Sequence, residues 1–245
     1  MKTKSKYPYI NRRKIGIIAL VLAMTIIYRE GYAGKGDSTE PVTIPQWQPF
    51  DISLVAEHDH PWWTFPVEAD FIHEESQSVI ASEAFWNGDR EWVIRFAPTL
   101  PGLWSYVTTS TDPGLNGYAG TIQVRKPTSN EIASNPNYKG HLSISPNKRY
   151  FQYADGTPFF LLASTLWAAN TARCGLGSNE DGPFFQYLSD RKSKGITTIL
   201  MQLFHGYGDY PNSPGHRNEG GKTFLDDSVT QLNPDHFRFL DKRMQ

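Results

Sequence analysis

Two groups of side chains carry the residue types that polyhydroxyl ligands require. Gln202, His205, Tyr207, Asp209 and Tyr210 fall within nine consecutive positions and combine donors, acceptors and aromatic rings. Gln202 also interrupts the apolar run at 196–204, and a buried amide must find partners. Core packing, hydrogen bonds internal to a loop and exposure to solvent compete as roles for these five residues. At least one is expected to touch a ligand, since positioned loops carry function. Thr165 and Trp167 form the second group. The Trp167 indole can stack flat on the C–H face of a ring or plug a core. The Thr165 hydroxyl can bond a ligand hydroxyl or cap the end of a strand.

Other chemistries fit less well. Glu57-His58-Asp59-His60 places metal-ligating types alternately, but no distant third ligand can be nominated and a proline turn adjoins. The run reads as a polar loop, and no metal is expected. Cys174 is the single cysteine, so no internal disulfide can form, and no His accompanies it as a base. The glycines of 206–221 lack phosphate-loop spacing. Asp155, Asp209, Asp226 and Asp235 read as turn, loop and helix-start residues. No catalytic residue is therefore nominated, and no cofactor is expected.

The elements that position these residues follow from periodicity and turn signals. Phe50, Ile52, Leu54 and Ala56 alternate with polar positions, as do Val67, Ala69 and Phe71 and later Trp92, Ile94 and Phe96. About six short strands between Trp47 and Lys126, separated by turns such as Asn87-Gly88-Asp89, predict an antiparallel immunoglobulin-like β-sandwich over 47–126. Of its six tryptophans most fall on the core period. Trp62 and Trp63 adjoin, so one of them faces away and either binds glycan or packs on the next domain. Residues 34–46 read as a flexible lead-in and 127–139 as a linker. Beyond it, Tyr150 to Ala163 predicts a hairpin feeding a buried strand. A helix follows near 181–194, with Pro183 in its first turn and Gly195 as its stop. The apolar run 196–204 suits a parallel strand covered on both faces. Asn233-Pro234 then opens an amphipathic helix. Strand, helix, strand, helix, with long strand-to-helix segments, places the candidate residues at the C-terminal ends of parallel strands.

The N-terminus bears on location. Lys2 to Lys14 form a basic stretch ahead of an apolar run at 15–27, shorter than the ~20 residues that span a bilayer. Gly31-Tyr32-Ala33 offers small residues for cleavage, so 1–33 reads as a signal peptide, with an uncleaved anchor as the alternative. The expected location is secreted or periplasmic, with membrane contact only through this segment. Seven of the 24 Lys and Arg but one of the 25 Asp and Glu lie there, leaving the remainder at net −7. Such a surface repels phosphate backbones, so nucleic acid is not an expected partner.

Several motifs resemble known families. Trp86-Asn87-Gly88, Val93-Ile94-Arg95-Phe96-Ala97-Pro98 and Gly102-Leu103-Trp104-Ser105-Tyr106 are similar to the immunoglobulin-like domain preceding many bacterial glycoside hydrolases. Arg149-Tyr150-Phe151, Asp155-Gly156-Thr157-Pro158-Phe159 and Ser164-Thr165-Leu166-Trp167 resemble the opening of the apiosidase-like (β/α)8 glycoside hydrolases. Leu232-Asn233-Pro234 and Phe239-Leu240-Asp241 resemble that family's second barrel helix. One departure is Ser164, where the family shows an acidic residue. The resemblance implies a multidomain chain: the sandwich, then at 140–245 the first two βα units of an incomplete TIM (β/α)8 barrel, which needs ~250 residues. It implies O-glycosyl hydrolysis of complex plant polysaccharide, a reaction that needs two carboxyl groups, with the family's acid and nucleophile on later strands. The expectation is thus an inactive fragment of a secreted glycoside hydrolase that still contacts polysaccharide or oligosaccharide through Thr165, Trp167, Gln202, His205 and Tyr207. The alternative is a non-catalytic carbohydrate-binding or adhesion module.

Overall fold

The computed structural model describes residues 41–203, 217–226 and 230–244, and residues 41–245 form one compact unit. The expected signal peptide lies outside the described residues. Seven strands build one sheet: β1 (Val42–Pro45), β2 (Phe50–Val55), β3 (Val67–His73), β4 (Val79–Gly88), β5 (Glu91–Phe96), β6 (Gly102–Ser110) and β7 (Ala119–Arg125). Their order is β1-β7-β6-β3-β4-β5-β2, antiparallel throughout except that β1 pairs with β7 in parallel.

Period-two patterning explains which face is buried. On β3, Val67, Ala69, Phe71 and His73 point inward while Glu68 is exposed. Phe71 stacks on Phe96 at 3.8 Å, and Trp104 meets the edge of Phe96 at 5.2 Å. The indole N–H of Trp104 donates to Leu100 O at 2.9 Å, so its polar atom is satisfied inside the core.

The immunoglobulin-like sandwich expected for 47–126 is not what forms. Strand β4 pairs with β3 through Glu83 and with β5 from Ala84 onward, then bulges between Trp86 and Gly88. Gly88 sits at φ +109 there, a conformation glycine adopts without steric cost. One bent strand therefore serves both halves, and the sheet curls into a nearly closed, barrel-like layer. Ile52 and Leu54 near one edge and Ile44 and Val124 near the other share a single core. Two further corrections are local. Strand β1 lies within the expected lead-in, and the expected linker contains helix α1 (Ser129–Ser134), closed by a capping box between Thr128 and Glu131.

The remaining elements are small. Strands β8 (Ser143–Ile144), β9 (Phe151–Gln152) and β10 (Pro158–Phe159) make a short antiparallel sheet that includes the expected hairpin. Strands β11 (Ala163–Leu166) and β12 (Thr198–Met201) pair in parallel, and helix α2 (Pro183–Ser193) lies between them in sequence. Strands β13 (Arg217–Asn218) and β14 (Gly221–Lys222) precede helix α3 (Pro234–Met244). A TIM (β/α)8 barrel, or its recognisable opening, is not evident among the described residues. The chain there is mostly β with three α-helices, and its dominant sheet is the seven-stranded one. The run at 196–204 yields a strand of four residues, not one covered on both faces: Leu200 is 62% exposed. Helix α2 covers one face through Phe184, Phe185 and Leu188, and nothing among the described residues covers the other.

Helix α3 ties this part to the large sheet. Arg95 of β5 grips Asp51 with two hydrogen bonds of 2.8 Å and reaches Asp241 at 2.9 Å. Arg238 donates to the carbonyl of Asn87.

Candidate functional site at the ends of two parallel strands

In a parallel pair, partnered residues share a face, so register decides what stands together. Thr165 pairs with Leu200 and Leu166 with Met201. Leu166 and Met201 pack against the helices with Phe184 and Phe239. Thr165 and Leu200 lie on the opposite, open face, and alternation carries Trp167 and Gln202 to that side just past the strand ends. Trp167 is 65% exposed, so it does not plug a core among the described residues. Thr165 is exposed beside it. Gln202 is half-buried, and its Oε1 is buried with no hydrogen-bond partner among the described residues. Ser164 turns to the helix side, where its Oγ meets the Tyr187 hydroxyl at 2.6 Å. His205, Tyr207, Asp209 and Tyr210 lie outside the described residues. Of the sequence-nominated residues, the structure therefore brings together Thr165, Trp167 and Gln202.

Beneath this face lies a polar network with no counterpart among the nominated residues. Asn170 Nδ2 donates to Leu203 O at 2.7 Å and to His236 Nε2 at 3.0 Å. Asn218 Nδ2 donates to Asn170 Oδ1 at 2.9 Å and to His236 O at 2.8 Å. Because a carbonyl only accepts, His236 carries its proton on Nδ1, which donates to Gly221 O at 3.0 Å. The ring is 1% exposed, and burial lowers its pKa below the usual histidine value. His236 is thus a neutral strut, with both nitrogens occupied. By clamping Leu203 O, the network holds the chain immediately after Gln202.

A second anchor sits alongside. The buried Arg243 guanidinium binds both oxygens of Glu219, at 3.0 and 2.8 Å, and donates to Ala169 O and Cys174 O. Burial pushes the Glu219 carboxyl up, but N–H donation from Leu176 and Arg243 outweighs it and holds the group ionised. Glu219 is a poor proton donor in this setting. One signal for these residues existed in the sequence. His236, Leu240 and Arg243 occupy one stripe at i, i+4 and i+7, and polar types on a buried stripe imply partners. Gly220 could not be larger, since an added Cβ would stand 2.1 Å from Asp235 O.

Chemically, the face offers an exposed indole platform and an exposed hydroxyl, with the half-buried Gln202 amide at its margin, which suits recognition of a polyhydroxyl ligand. Among the described residues, no carboxylate stands on it. The Glu57-His58-Asp59-His60 run serves structure: buried Asp112 accepts from Glu57 N, His58 N and Gly114 N, and His60 Nε2 stands 2.6 Å away. No metal-ligating group of three occurs among the described residues.

Comparison with known proteins agrees with part of this picture. Residues 145–245 match the family model of the apiosidase-like catalytic domain, and residues 43–111 match a domain of unknown function, DUF5060, in place of the expected immunoglobulin-like domain. A crystal structure from Bacteroides vulgatus, described as a "putative glycoside hydrolase", overlays with a TM-score of 0.63 at 20% identity. The overlay covers 83% of this chain and 38% of that one, so this chain spans well under half of its length. The ZIG-8 IG1 homodimer overlays at a TM-score of 0.26 and 13% identity, covering 44% of this chain and 98% of that one, too little to establish a shared fold. No curated protein gives a significant match. The family-model match relates residues 145–245 to the apiosidase-like catalytic domain, and the crystal structure shows a shared fold.

Proposed function

We propose that this chain is the substrate-contacting portion of an exported glycoside hydrolase acting on complex plant polysaccharide, without hydrolytic activity of its own. In this reading residues 1–33 are a cleaved signal, 47–126 form a supporting β-domain, and 140–245 carry the sugar-contacting face. The observation that supports it best is that the exposed Thr165 and Trp167 stand on one open face, with half-buried Gln202 beside them, within the apiosidase-like segment. Hydrolysis needs two carboxyl groups flanking the bond. The described face supplies none, and Glu219 is locked to Arg243.

The test is to titrate the purified chain with pectic and hemicellulosic polysaccharides, following both binding and release of reducing ends. Binding without release is expected, with Trp167→Ala weakening affinity about tenfold, or ~1.4 kcal/mol. Sustained sugar release that disappears when an acid within 140–245 is replaced would show that the catalytic pair is present after all.

A further inference from the structure

Away from the strand ends, a cleft of about 550 Å³ opens between the large sheet, the segment after α1 and the end of α3. Its size falls within the roughly 300–1,000 Å³ typical of ligand clefts. Trp47 lines it in an unusual backbone state, with φ at +73. A bulky residue in that region is a genuine outlier, and such strain persists only where the surroundings enforce it. Here the Trp47 N–H is fixed to Pro98 O at 2.9 Å, and its ring packs edge-on to His141 at 4.8 Å. Gly140 lets the ring approach, since an added Cβ would lie 2.7 Å from it.

The polar lining is incompletely used. The Asn137 side-chain amide has no partner among the described residues, and the Gln48 amide has only a 3.4 Å contact with the Tyr138 hydroxyl. Asp51 and Asp241 retain acceptor capacity because both are partly exposed, and Arg95 between them engages each. Two aromatic rings, two amides and spare carboxylate acceptors match the alternating C–H and O–H surface of a sugar. Two carboxylates against one guanidinium disfavour an anionic ligand. The geometry points to a second carbohydrate site in this cleft, selective for neutral over acidic glycans and separate from the Trp167 face.

The experiment is calorimetric titration of the full chain with short neutral galacto-, arabino- and xylo-oligosaccharides and, as a contrast, with oligogalacturonate. At least one neutral probe is expected to bind and the acidic probe to bind more weakly. Gln48→Ala and Asn137→Ala, surface changes that should leave the melting temperature in place, each weaken that binding about threefold to tenfold. In the Trp167→Ala variant, where the strand-end face is disabled, neutral-probe binding that remains sensitive to Gln48→Ala and Asn137→Ala persists, which separates this cleft from the strand-end face. Failure of every neutral probe, tighter binding of oligogalacturonate, indifference to both amide variants, or loss of binding on Trp167→Ala would each overturn the inference.

Discussion

Among the described residues, 14 buried apolar residues of the large-sheet region pack into one core, whereas the α/β part gathers four into a cluster and surrounds them with Asn170, Asn218, Thr223, His236 and Arg243. The first region rests on apolar burial, which is non-directional and tolerates modest rearrangement. The second rests on hydrogen bonds that fail together if one member is removed, because the others are left buried and unpaired. The same contrast separates rigidity from function. The apolar core presents no chemistry, while the polar network holds the strand ends where Thr165, Trp167 and Gln202 stand.

Truncating the apolar core should have the largest effect. Trp104→Ala removes a fully buried indole that touches Phe96 and His73, and should cost about 3–5 kcal/mol. Since typical domains hold only ~5–15 kcal/mol, a large fall in melting temperature is expected. A small fall would mean that the core collapses around the gap and is less tightly packed than it looks.

Removing the Arg243 anchor should cost somewhat less and act locally. Arg243→Ala leaves Glu219 without its cationic partner and the carbonyls of Ala169 and Cys174 without their donor, a loss of about 3 kcal/mol. Hydrogen exchange should accelerate around residues 169–176 while the amides of β3 and β6 stay protected. Equal acceleration in both regions would erase the proposed contrast.

Acidification should give the smallest and most selective effect. The folded pKa of His236 lies below its ordinary value of 6.5, so the stability it contributes is complete above that value. That stability is lost as pH falls from 6.5 toward the folded pKa, because the unfolded chain then binds a proton that the native ring refuses. Melting of the α/β part between pH 7 and 5 should therefore fall ahead of the large sheet, and His236→Gln should flatten the difference. A pH-independent α/β melt would remove His236 from the network's energetics.

Local features of this molecule were legible in advance. Alternation marked Val67, Ala69 and Phe71 as one face of a strand. Pro183 and Gly195 bounded α2 closely, Gly195 taking φ +76. Asn233 opened α3 by accepting from Asp235 N at 3.1 Å. In each case the cause lies within a few residues: side-chain period, fixed proline φ, or a capping oxygen. The stripe of His236, Leu240 and Arg243 implied buried partners, but which partners was not legible, because Asn170, Asn218 and His236 are 18 to 66 positions apart.

The sequence by itself determined where most strands of the large sheet and helices α2 and α3 run and which residue types could meet a sugar, since those depend on short-range sterics and periodicity. Tertiary structure alone decided that β4 bends through both halves of one sheet, where a two-sheet sandwich had been expected. It also decided that Trp167 stands exposed, that Ser164 faces α2, and that Trp47 is forced into a cleft wall. Those outcomes depend on which distant segments pay the entropy of meeting, and periodicity carries no record of that choice.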